Sequence, residues 1–69
     1  MDEIKIAGLN GVTVLRRADG KFGIRDERAG MTSWRYSNET GAMRTATAMA
    51  AENDRIDAHV ARHAPEVAR

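Results

Sequence analysis

His59 and His63 stand four apart in a stretch with helical character, so both imidazoles reach one side and offer two nitrogen ligands to a metal. Two ligands do not complete a site. Asp57 and Glu66 are the nearest carboxylates, and Val60 and Ala61 occupy the place where a zinc-protease helix carries its glutamate. The pair reads more simply as a polar helix end. Thr40, Thr45, Thr47 and Ser33 supply hydroxyls, but no histidine is placed to activate them in a recognisable pattern. Asp54 and Asp57 suit acid and base work by type, yet they read as a solvated face, and Asp26-Glu27 reads as a turn. The six glycines are spread among turns and do not cluster into a phosphate cradle. No catalytic residue, cofactor or metal is expected, and the chain is read as a protein without enzymatic activity.

Binding chemistry is better supplied. Arg16, Arg17, Lys21, Arg25, Arg28 and Arg35 all lie in the first half, which holds seven basic and five acidic residues for a net of +2, whereas the second half nets −1. Arginine beside Trp34 and Tyr36 suits phosphates and bases, which makes a nucleic-acid module one reading of the set. Asp19, Asp26 and Glu27 are interleaved with those arginines, and a mixed, arginine-rich surface is what protein interfaces favour. The overall charge of +1 gives no strong field for steering onto nucleic acid or anionic lipid. Arg16, Arg17, Arg25, Arg28 and Arg35 are therefore the candidate contacts to a partner protein, with nucleic acid as the alternative.

Two kinds of element position these residues. From Glu3 to Tyr36 apolar residues recur at every second place, as Ile4 with Ile6, Val12 with Val14, Phe22 with Ile24 and Trp34 with Tyr36, which is the period of half-buried strands. Asn10-Gly11 and Asp19-Gly20 suit tight turns, and a looser connection follows through Asp26-Glu27-Arg28-Ala29-Gly30. The spacing predicts an antiparallel β-meander of three to four strands over residues 3–36. Its apolar face carries the paired residues just named, Trp34 and Tyr36 included, while Lys5, Thr13, Arg25 and Arg35 point the other way. A sheet with one apolar face needs a cover.

That cover is a helix over residues 38–63, free of proline and, after Gly41, of glycine. Ser37 or Asn38 caps it, Glu39 suits the positive end of its dipole, Arg62 and His63 suit the negative end, and Pro65 stops it, leaving 64–69 as a tail. About 25 residues at roughly 1.5 Å each make a rod of roughly 37 Å. Strands of ordinary length reach only roughly 17 to 20 Å, so half the rod should overhang the sheet. Its first half is apolar nearly all round, with Ala42, Met43, Ala46, Ala48, Met49, Ala50 and Ala51. Running on from there into the narrower second half, Ala46, Met49, Asn53, Ile56 and Val60 follow the alternating spacing of three and four that marks the seam of a paired helix. These five are the expected homodimer interface, with Asn53 as the buried amide that fixes register.

The expected architecture is a single α+β domain spanning residues 1–69. A chain of 69 residues buries only about 60% of the surface its unfolded form exposes, and without cysteine it has no disulfide or thiolate metal site to add stability. Pairing with a second copy offsets that shortage. The acidic opening Met1-Asp2-Glu3-Ile4-Lys5 has no apolar stretch behind it, so neither a signal peptide nor a membrane span is expected, and the location expected is cytoplasmic.

Two resemblances extend this reading. The run from Val12 through the Arg25-Asp26-x-x-x-Gly30 turn to the helix start at Asn38 resembles the arm-binding domain of tyrosine recombinases, which implies a DNA-binding accessory module. The chain lacks the basic tail of such DNA readers. In length, layout, cysteine content and paired helix it resembles the small early proteins of Mu-like Pseudomonas phages, in particular the anti-quorum-sensing anti-activator type. That resemblance implies a homodimer in the host cytoplasm that inhibits a LuxR-type transcriptional activator by occluding its DNA-binding part, and it assigns no functional residue.

Overall fold

A computed structural model describes residues 3–67, with side chains through Arg62. The fold is α+β. Strands β1 (Glu3–Leu9), β2 (Val12–Arg17), β3 (Phe22–Asp26) and β4 (Met31–Tyr36) form one antiparallel sheet in chain order, and α1 (Glu39–Val67) follows. Glycine makes the connections possible: Gly11, Gly20 and Gly30 take φ of 72°, 90° and 69°, and among the described residues no other residue type enters that region. Each sits at the second half of its turn, where a side chain would be strained.

The sheet presents Val12, Val14 and Ile24 to the helix, which answers with Ala42, Ala46 and Ala50. Residues four apart share a helix face, and their small size lets the helix lie close on the branched side chains below. Ile6, Ala7, Leu9, Phe22, Tyr36, Met43 and Met49 close the margins of this core. Ala48 and Ala51 are exposed, contrary to the expected all-round burial, because a single sheet covers only one side of the rod. Asn38 caps α1 through its Oδ1, which accepts from the Gly41 N–H at 2.7 Å.

Two bulges redirect side chains. Across β3 and β4 the register passes from Phe22↔Tyr36 to Ile24↔Ser33, so β4 carries one extra residue. Tyr36 stays on the helix side and Trp34 turns to the opposite face, which corrects the expectation that the two share a side. There the indole lies on Gly23, where an added Cβ would come within 2.5 Å of the ring. Leu15, the cross-strand neighbour of Gly23, is buried on that outer face. A second irregularity between Lys5 and Ala7 makes Ile6 the extra residue of β1, and Ile4, 55% exposed opposite Arg16, is not the core residue its spacing suggests.

The helix also departs from its expected end. It runs through Pro65 to Val67, so Arg62 and His63 precede its last turn, and residues 64–67 are helical where a tail was expected. Proline at this place gives up its own N–H bond to the carbonyl four residues back and crowds that carbonyl with its ring, a cost the helix carries over its last residues.

Candidate functional site

The polar contacts gather where α1 leaves the sheet. Asn10, in the β1–β2 turn, donates from Nδ2 to Asp54 Oδ1 and Asp57 Oδ2, both at 2.8 Å, and its carbonyl accepts from Asn53 Nδ2 at 2.8 Å. Arg28, in the β3–β4 turn, donates from Nη2 to both carboxylate oxygens of Asp57, at 2.9 and 2.7 Å. Its backbone position is set by Asp26, whose Oδ1 accepts from the Arg28 and Ala29 N–H groups. Two turns thus clasp one helix. The hydrogen bond from Arg28, then that from Asn10, holds the Asp57 carboxyl below the usual carboxylate range despite some desolvation, and the same bond raises the Arg28 guanidinium.

This clasp revises several expectations. Asp54 and Asp57 are not merely solvated, and Arg28 is engaged within the chain. Asn53 is tied to the Asn10 carbonyl and so is not an idle seam amide. Ala46 is 0% exposed beneath its own sheet and has no surface to offer a second copy. Met49 is half-buried against the core, which leaves Ile56 and Val60, 45% and 54% exposed, as the open part of the expected seam. The overhang begins beyond Asp57, later than the midpoint of the rod, because both turns reach out along the helix.

The clasp was not foreseen from the sequence. Its signal was Asn53, an amide within an apolar stripe, which required a partner that only folding could supply.

The remaining arginines divide by face. Arg17 pairs with Asp19 at 2.9 Å and lies 4.9 Å from the Trp34 ring centre, a cation–π contact on the outer face. That hydrogen bond holds Asp19 low, with help from the Lys21 N–H, and raises Arg17. Arg25 pairs with Glu3 at 3.2 Å and donates to Thr32, and Thr13 donates to Glu27 at 2.6 Å. Arg16 and Arg35 have no ion pair among the described residues. Arg35 borders a cleft on the helix side, not the outer face where it was expected. That cleft, about 340 Å³, lies between β4 and α1 and is lined chiefly by Ile24, Met31, Ser33, Tyr36 and Met49.

No family model, curated protein or solved structure matches this chain. Its chemistry therefore rests on its own residues. Among the described residues no three His, Cys, Asp or Glu side chains gather closely enough to hold a metal ion. His63 was half of the histidine pair, and its side chain lies outside the described residues. No helix among them is long and apolar enough to cross a membrane.

Proposed function

We propose that the chain is a non-enzymatic protein that pairs with a copy of itself and inhibits or regulates a partner protein by covering part of its surface. The observation that carries this reading is the exposure of the apolar residues Met31, Ile56 and Val60, at 68%, 45% and 54%. Exposed apolar side chains grouped on one side of a small protein favour association with a matching surface. The likeness to phage anti-activators makes a LuxR-type host activator in the cytoplasm the specific partner to test.

The basic set fits protein contacts better than phosphate contacts. Arg17, Arg25 and Arg28 are each neutralised by Asp19, Glu3 and Asp57, leaving Arg16 and Arg35 of the five candidates for an outside partner. Phosphate binding makes affinity fall steeply as salt rises, whereas a mixed-charge protein interface responds mildly. A gel-shift titration against random duplex DNA at low salt tests the distinction: no retardation is expected. Tight binding that vanishes with added salt would replace this reading with a DNA-binding accessory module.

A further inference from the structure

Among the described residues, two of the surfaces that lack a cover are complementary in position. The first is the cleft beside α1. Four strands spaced about 4.8 Å apart make a sheet roughly 19 Å wide, and a helix with its side chains spans about 10–12 Å. One helix covers little more than half of that face, and the cleft over β4, with Met31 at its open end, is the uncovered part. The second is the end of α1. A 29-residue helix is about 43 Å long against about 23 Å for the seven residues of β1. Beyond the clasp at Asp57, the described side chains of residues 58–62 are all exposed.

The two surfaces lie on the same side. Met49 lines the cleft with Met31, and Ile56 and Val60 follow Met49 by seven and then four residues, which keeps all three on the β4 flank of the helix. Three exposed side chains make a patch of on the order of a few hundred Å², short of the roughly 800 Å² per partner of a stable interface. Used once, that stripe is too small. Used reciprocally, each copy gives a helix end and receives one, so the cleft and the stripe of both copies are covered.

We propose that the overhanging end of α1 seats in the β4–α1 cleft of a second copy, with the two helices antiparallel about a two-fold axis near Ile56. This deepens the self-pairing reading and rests on it. Layout sets the direction. Glu52 is paired with Arg55 and Asp57 with Arg28 inside each copy, so these charges are already engaged. Antiparallel helices lay each overhang beside the cleft of the other copy, whereas a parallel pair sets overhang beside overhang and leaves both clefts open. Val60 then lies over Met31 of the partner subunit, and the two Val60 side chains stand apart on either side of the axis.

The chain has no cysteine, so paired thiols report this placement directly. Met31→Cys/Val60→Cys is prepared unlabelled and nitrogen-15 labelled, mixed, oxidised and digested, and the linked peptides are weighed. Disulfides joining position 31 of one isotope to position 60 of the other are expected, with Val60→Cys alone giving no cross-link. If sedimentation reports a dimer but Val60→Cys alone links to itself, or 31 links to 60 only within one chain, self-pairing stands and the reciprocal docking is overturned. A single sedimenting subunit at micromolar concentration overturns both.

Discussion

Gly23 and Trp34 show how much one missing side chain decides. The indole occupies the space a Cβ at position 23 would need, at 2.5 Å, and the atoms of a rigid ring cannot move aside singly as a flexible chain end would. Gly23→Ala is expected to lower stability by about 1–3 kcal/mol through overpacking. Chemical denaturation followed by the fluorescence of this one tryptophan measures it, with a changed native emission as the ring lifts. Asp57 gives the second test at this scale. Its folded pKa is depressed by Arg28 and Asn10, so its stabilising contribution is present above the unfolded carboxylate value near 3.8 and is lost as pH falls through the lower folded value. Stability of the native chain should therefore decline below about pH 4. Asp57→Asn should flatten part of that decline and lower the plateau above it, as read from melting temperature against pH.

At the scale of elements, α1 carries the fold's dependence on a single helix. Asn38 supplies its cap, and Asn38→Ala is expected to cost about 1 kcal/mol, visible as a lower denaturation midpoint with unchanged slope. The sheet's order, its turns at Gly11 and Gly20 and its change of period near Asn38 were legible because they depend on neighbours a few residues apart. The bulges were not. A strict alternation places Trp34 and Tyr36 together, but one extra residue in β4 reverses the parity, and no local pattern marks where the ladder slips. The end of the helix was misjudged for a similar reason, since Pro65 reads as a stop whether it falls inside the last turn or after it.

At the scale of the whole molecule, the extents of 49 × 22 × 15 Å record a short sheet with a rod projecting from it. That shape turns Ile56 into a test of assembly with little bearing on folding, because its side chain is 45% exposed beyond the sheet-covered alanines. Ile56→Asp is expected to halve the mass seen by light scattering while the circular dichroism stays that of the folded chain. An unchanged mass would place the contact elsewhere.

Sequence alone determined the kinds of element, their order and the mismatch of length between rod and sheet, because periodicity, turn chemistry and helix rise act over short distances along the chain. Tertiary structure decided which polar residues were already spoken for. Asn10, Arg28, Asn53, Asp54 and Asp57 are spread across 48 positions of sequence and meet only when two turns close on the helix. A hydrogen bond between distant residues depends on where the backbone brings them, and residue type specifies only that a partner is needed.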